Sequence, residues 1–250
     1  MDVTFDRHLF TQIGLDSGSL TMLGTLVHGF TEPGEYRCAL HAGPEVKAVF
    51  IVHADPESPN ASATVDLAAL AGGTAAPSGG DCGCESSSDG AAAIPRYVVN
   101  PRGHVVFRVG AGAGQFYVHA RRPASSTEDK GYDSRAMVEG DSFAAILLRP
   151  GTYAMTNALS KAKGEIVVDY PPLKERNYRP AGPVRITCDA RGFNPSTVRV
   201  GPGQGVIFES HVASRVVITL AKPDDGPKDR VRSRPPRRFA RMAATPRARG

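Results

Sequence analysis

Apolar residues recur along this chain in short runs, either alternating with polar residues or as consecutive Val, Ile and Phe positions. Alternation is typical of half-buried strands, and short β-branched runs are typical of buried ones. Pro-Gly pairs separate several runs and indicate turns. The pattern predicts an all-β protein of the sandwich type, with one or two helical turns at 64–71. The predicted strands are 3–5, 20–30, 35–38, 46–52, 97–99, 104–109, 115–121, 142–148, 164–169, 184–188, 197–200, 205–209 and 215–220.

Changes in composition divide the sequence into segments. A Gly/Ser/Ala-rich stretch with little to bury is predicted to be a disordered linker, and so is a basic, Pro-rich tail. The segments are a first β segment (1–71), the linker (72–93), a second β segment (94–172), a third β segment (183–222) and the tail (226–250).

The second β segment repeats a pattern of the first. Pro-Gly-x-Tyr, a loop and a final Val-rich strand occur at 29–52 and again at 147–168. This indicates an internal repeat. In the second copy, Met155 takes the position of Cys38, and Ala158 takes that of His41.

The stretch from Phe30 to Ile51, FTEPGEYRCALHAGPEVKAVFI, carries the most specific motif. Cys38 and His41 are separated by two residues, and a loop at a strand end could turn both toward one point. The order Pro-Gly-x-Tyr-x-Cys-x-x-His-x-Gly, followed by a β-branched run, resembles the ligand loop of the cupredoxins, the blue-copper proteins. Residues 192–204 resemble the opening half of a cupredoxin.

The resemblance implies both a fold and a metal site. The fold would be two cupredoxin-like Greek-key β-sandwiches joined by the disordered linker. The copper ligands would be the Cys38 thiolate and the imidazoles of His41 and His8, because copper that cycles between +1 and +2 favours one thiolate and two imidazoles with a weak axial group. Val46 stands where the family has its axial Met, and its side chain cannot ligate.

The resemblance also implies an unusual pairing of segments. Residues 1–55 look like a closing half and residues 183–222 like an opening half, while the middle segment looks complete. Since each sheet must cover its inner face, we expect 183–222 to pack with 1–55 in permuted order.

Two functions from different classes follow. Only one of the three β segments keeps part of a metal site, which favours a non-catalytic β-sandwich protein used for binding or assembly. The alternative is a copper-binding, electron-transfer protein with the ligands His8, Cys38 and His41. Without copper, Cys38 is interpreted as a small buried hydrophobe and His41 as a loop residue.

Several other classes are disfavoured. The sequence lacks G-x-S-x-G, H-E-x-x-H and the kinase signatures, so we do not expect an enzyme. No apolar run approaches the ~20 residues of a membrane helix. The opening MDVTFDRHLF shows no secretory signal, which makes the cytoplasm the expected location. Cys82-Gly83-Cys84 in the linker lacks the second pair that a structural zinc site needs.

The formal net charge of +5 is unevenly distributed. Residues 226–250 carry nine Lys and Arg residues and one acid, so the remaining residues are acidic overall, with a net charge of −3. The tail could contact nucleic acid or an acidic partner by counterion release. It has one aromatic residue, Phe239, and no recognised nucleic-acid motif, which favours a solvated tail without a specific partner.

Overall fold

The computed structural model describes residues 12–73, 94–122, 131–170 and 178–224. Up to residue 71 the elements are β1 (Gly14–Asp16), β2 (Gly24–His28), β3 (Gly34–Ala42), β4 (Glu45–Ala54), β5 (Ser62–Asp66) and α1 (Leu67–Ala71). Four strands follow, β6 (Arg96–Val99), β7 (His104–Arg108), β8 (Phe116–Arg121) and β9 (Tyr132–Asp133). The remaining strands are β10 (Ser142–Ile146), β11 (Gly151–Asn157), β12 (Lys163–Val168), β13 (Val184–Asp189), β14 (Gly192–Asn194), β15 (Thr197–Val200), β16 (Gly205–Ser210) and β17 (Val216–Pro223).

The prediction of an all-β protein is confirmed. The described residues form seventeen strands and one helix of five residues. That helix begins where Asp66, at the end of β5, accepts hydrogen bonds from the amides of Ala68 and Ala69. A side-chain cap of this kind satisfies donors that a short helix cannot pair internally. Within the described ranges no helix is long and apolar enough to cross a membrane.

The strands form three sheets. Sheet 1 has the order β6-β4-β3-β8-β9, and sheet 3 has the order β15-β12-β11-β17-β1. Sheet 2 has seven strands in the order β14-β13-β16-β10-β2-β7-β5. Its two halves meet where β2 and β10 pair antiparallel, with Val27 opposite Ser142.

The sheet order shows that the chain contains the same arrangement twice. Sheets 1 and 3 match strand for strand, including the parallel pairs β4–β6 and β12–β15. In sheet 2 the parallel pairs β5–β7 and β13–β16 correspond in the same way on either side of the β2–β10 seam. We call β2–β9 the amino-terminal unit and β10–β17, with β1 added at the edge, the carboxy-terminal unit. The internal repeat predicted from the sequence therefore extends over whole units.

The Pro-Gly-x-Tyr motif forms the same corner in both units. Gly34 has φ +135° and Gly151 has φ +147°, values that side chains rarely allow. The hydroxyl of Tyr36 donates to the Glu32 carbonyl at 2.9 Å, and that of Tyr153 donates to the Arg149 carbonyl at 2.8 Å. In each case the acceptor lies four residues before the tyrosine, so the corner is held by the same local bond.

The inward faces of the sheets form a continuous apolar core. In the amino-terminal unit Phe50 of sheet 1 packs edge-on against Phe107 of sheet 2, with ring centroids 6.5 Å apart. The two units divide core volume differently at matching positions. Cys38 lies opposite Phe50, whereas Met155 lies opposite Gly164. A small residue faces a large one in both cases, as close packing requires.

The third β segment, which was predicted to pack with residues 1–55, pairs mainly with other strands. Strands β13 to β17 pair with β10, β11 and β12, so residues 183–222 complete the unit that begins at β10. Among residues 12–55, which the structure describes, β1 pairs with them through β17. The closing half at β3 and β4 instead pairs with β6 and β8. Each Pro-Gly hairpin thus pairs with strands that follow it in the sequence.

Several predictions lie outside the described residues. These are the strand at 3–5, the ligand His8, most of the linker with Cys82 and Cys84, and the basic tail at 226–250.

Candidate functional site on the outer face of sheet 1

Two of the three predicted copper ligands are described, and they lie on opposite faces of one strand. The motif predicted His41 in a loop, but β3 continues through Ala42 before turning at Gly43, where φ is +58°. Successive residues of a strand point to alternate faces. Cys38 therefore points into the core and is 0% exposed, while His41 points outward. The third predicted ligand, His8, lies outside the described residues.

The surroundings of Cys38 favour a neutral thiol. Burial raises the pKa of Cys38 to about 12, and burial likewise raises the pKa of Cys188 to about 12. A metal ligand or nucleophile would need the thiolate, which an apolar site disfavours. The Sγ atom of Cys38 lies 3.7 Å from the Tyr36 carbonyl oxygen. Cys38 therefore acts as a small packing residue in the described structure.

Copper binding remains a prediction. Within the described ranges no group of three or more His, Cys, Asp and Glu side chains could hold a metal ion. The residues present do not fit a His/Cys/His copper site, because the thiol of Cys38 and the imidazole of His41 are separated by the sheet itself.

A buried polar cluster lies beneath sheet 1, at one end of the β2–β10 seam. His28 Nδ1 and Asp141 Oδ1 are hydrogen-bonded at 2.6 Å, and the Val138 amide donates to Asp141 Oδ2 at 2.9 Å. The ring of Tyr132 stacks on His28, with centroids 3.6 Å apart. Burial, together with the nearby carboxyl groups, raises the pKa of Tyr132 well above its usual range. This cluster fixes the two units together across sheet 2.

An apolar cavity of about 430 Å³ lies near the other end of the seam. There the Ile146 amide donates to the Leu23 carbonyl at 3.0 Å. The cavity is lined by aliphatic and aromatic side chains with two polar ones, namely Gln12, Leu15, Leu23, Ile146, Leu147, Leu148, Arg149 and Tyr153, together with Gly14. The seam thus ends in a hydrogen-bonded pair of polar side chains on one side and in aliphatic side chains on the other.

The outward-facing side chains of sheet 1 form the most distinctive surface of the described structure. We call this surface the outer face. Its centre consists of half-buried aliphatic side chains, Ala39, Val49, Ile51 and Val98. Around the centre lie cationic and aromatic side chains, Arg37, His41, Tyr117, His119, Arg121 and Arg135.

Rings and guanidinium groups are stacked along one side of the outer face. The rings of His41 and Tyr117 are parallel within 6°, with centroids 4.8 Å apart. The guanidinium of Arg135 lies over Tyr117, 4.7 Å from its ring centroid. The Tyr117 hydroxyl donates to the Gly43 carbonyl at 2.7 Å. The ring of Tyr117 therefore contacts His41 and Arg135, and its hydroxyl is anchored to the backbone.

Charged groups hold this stack in place. Asp133 Oδ2 lies 2.7 Å from Arg135 and 3.0 Å from His119 Nε2. Burial raises the pKa of Asp133, but hydrogen bonds from Arg135 outweigh it and leave the pKa lowered overall. Burial, followed by the positive charges of His119 and Arg135, lowers the pKa of His41. His41 Nδ1 has no hydrogen-bond partner among the described residues.

Most residues of the outer face belong to no motif that the sequence reveals. In β8 the residues Tyr117, His119 and Arg121 alternate with the buried Val118 and Ala120. That alternation places them on one face, and it is readable from sequence. The pairing of β8 with β3, which adds Arg37 and His41 to the same surface, joins residues about eighty positions apart and leaves no local signal.

Comparison with known proteins gives no further guidance. No family model matches the chain, and no curated protein or solved structure matches it significantly. The cupredoxin resemblance therefore rests on the motif at 30–51 and the phrase at 192–204 alone.

Proposed function

We propose that this chain is a non-catalytic binding or assembly protein, built from two cupredoxin-like Greek-key β-sandwiches, and that the outer face of sheet 1 takes its partner. The non-enzymatic part rests on the sequence, which carries none of the catalytic signatures considered above. The binding part rests on the composition of the outer face. Interfaces typically have an apolar centre, a polar rim and a surplus of Tyr and Arg.

The observation that carries the proposal is the difference between matching positions of the two units. Ile51 on sheet 1 corresponds to Glu165 on sheet 3. Ile51 lies opposite Arg37 of β3, and Glu165 lies opposite Ala154, the matching residue of β11. An aliphatic side chain on an outward face gains little from the fold, since it stays partly in water. Because the duplicate folds with Glu at this position, the fold does not require Ile51 there.

Site-specific photo-crosslinking tests the proposal. A photoreactive amino acid is placed at Ile51, or at the matching Glu165 as control, in the full chain, and the protein is exposed to an extract of the cells that make it. We expect a defined covalent adduct with one protein from the Ile51 position and none from Glu165. Identical adducts from both positions, or none from Ile51, would contradict the proposal.

A further inference from the structure

Two arginines of the outer face are placed as an unneutralised pair. Arg37 of β3 and Arg121 of β8 lie directly opposite each other, and both are exposed. Residues opposite each other across antiparallel strands have Cβ atoms about 5 Å apart, and like charges in this position destabilise the sheet. Within the described ranges no carboxylate forms an ion pair with either of them.

The neighbouring arginines of the same sheet are neutralised. Arg96 pairs with Glu35 at 2.5 Å, and Arg135 pairs with Asp133 at 2.7 Å. Arg122, the residue after Arg121, pairs with Glu32 at 2.6 Å. The positive charge of the outer face is therefore concentrated at Arg37 and Arg121, next to the aliphatic centre.

The matching positions of the carboxy-terminal unit carry no charge. Ala154 corresponds to Arg37, and Thr219 corresponds to Arg121, because these two residues also lie opposite each other. The strand order is the same in both units, so the arginine pair contributes nothing that the fold requires. Its unfavourable repulsion is relieved when an anionic group binds between the two guanidinium forks.

We infer that the outer face binds an acidic segment of a protein partner, whose carboxylates bind Arg37 and Arg121 while adjacent aliphatic side chains cover Ile51 and Val49. This inference rests on the proposed function and names the partner's chemistry. Guanidinium groups bind carboxylates bidentately, which fixes direction as well as charge. The aliphatic centre supplies apolar contact beside the charged groups.

Two other occupants fit less well. Single-stranded nucleic acid binds by stacking bases on open aromatic rings, but the ring of Tyr117 already contacts the His41 ring and the Arg135 guanidinium. A second copy of this chain, docked face to face, would bring the same arginine pair against a surface of like charge. An acidic protein segment satisfies both the charge and the aliphatic centre.

The test measures binding of defined probes to the full chain by NMR, following the backbone amides of the outer face and the side-chain Nε–Hε signals of Arg37 and Arg121. The probes are a short alternating Leu-Glu peptide, its Leu-Gln counterpart and an oligothymidine. The variant Arg37→Ala/Arg121→Ala is compared with Arg102→Ala/Arg191→Ala, which removes two exposed arginines elsewhere. The control pair shows whether the loss of any two exposed arginines weakens binding of an acidic probe.

We expect the Leu-Glu peptide to shift the outer-face signals, and the Arg37/Arg121 variant to weaken this binding about tenfold while the control leaves it unchanged. Equal binding by both variants at the outer face would overturn the arginine assignment and leave the outer face as a partner surface. Preferential binding of oligothymidine there would overturn the choice of a protein partner. If no probe shifts the outer face, the inference fails, and the crosslinking experiment decides the proposed function independently.

Discussion

The two units of this chain share one strand order but differ in what they turn toward solvent. At matching positions sheet 1 carries Arg37 and Arg121, and sheet 3 carries Ala154 and Thr219. Inside the units the core residues differ in a way that keeps the packed volume similar, since a small residue lies opposite a large one in both units. Packing therefore explains the differences in the core, whereas it does not explain those on the outward faces. Residues that differ without a packing reason are the ones to examine for function.

The two ends of the β2–β10 seam extend the comparison to the boundary between the units. One end is the buried His28–Asp141 pair, with Asp141 2% exposed. At the other end, Leu23 and Ile146 occupy the corresponding positions and border the cavity. The polar end tolerates less change, because the His28 ring and the Val138 amide both depend on the Asp141 carboxylate.

Replacing Asp141 by Ala should therefore give the largest loss of stability. It would leave His28 Nδ1 and the Val138 amide without their acceptor in a buried site, at a cost of about 3 kcal/mol in the free energy of unfolding. Leu23→Ala, at the other end, should cost about 1 kcal/mol because the side chain is only half-buried. Urea unfolding measures both, with the exposed Glu139→Ala as control. A loss for Asp141→Ala no larger than that for Leu23→Ala would contradict this account.

The sequence predicted most strands because strand formation here follows local patterns. The run at 46–52, for example, became the core of β4. The sequence also predicts which residues of a strand share a face, as the alternation of buried and outward residues in β8 shows. The pairing of strands that are distant in sequence was harder to predict, because the hydrophobic pattern of one strand fits many possible neighbours. The cupredoxin resemblance predicted that residues 183–222 pack with residues 1–55, whereas most of their strand pairs are with β10, β11 and β12.

The predicted metal site shows a second limit. A Cys-x-x-His spacing can converge in a loop but not along a regular strand, where residues three apart point to opposite faces. Whether the chain leaves the strand before His41 depends on the length of the hairpin. The turn falls at Gly43-Pro44, and this separates Cys38 from His41. A difference of one or two residues in the length of β3 thus decides whether the two side chains of a Cys-x-x-His motif can meet.

Replacing an outer-face residue of sheet 1 by its counterpart in sheet 3 should make the protein slightly more stable. Arg121→Thr introduces the residue found at Thr219 and removes the repulsion with Arg37, so we expect a gain of about 0.5 kcal/mol in the free energy of unfolding. The gain should shrink at high salt, which screens exposed charges. The reverse exchange, Ala154→Arg/Thr219→Arg, should lower stability by a similar amount. Destabilisation by Arg121→Thr would show that Arg121 has a structural role.

The smallest expected effect concerns His41 and the pH dependence of stability. The pKa of His41 is lowered in the folded protein from an ordinary value of 6.5, chiefly by burial and then by the charges of His119 and Arg135. The unfolded chain therefore binds this proton more readily, so the contribution of His41 is complete above pH 6.5 and is lost as pH falls through the folded pKa. His41→Gln should flatten the fall in unfolding free energy between about pH 7 and pH 5.

The environment of His41 provides a direct check of this cause. Arg135→Gln removes one of the positive charges that lower the pKa of His41 and frees Asp133, whose negative charge raises it. Both changes act in the same direction, so an NMR titration of His41 in this variant should give a higher pKa than in the unaltered protein. Ala158→Gln, at the residue after β11 that matches His41 in the repeat, adds no titratable group and should leave the pH dependence of unfolding unchanged. If the pKa of His41 stays the same in Arg135→Gln, the stacked charges of the outer face are not what sets it, and burial alone must account for the shift.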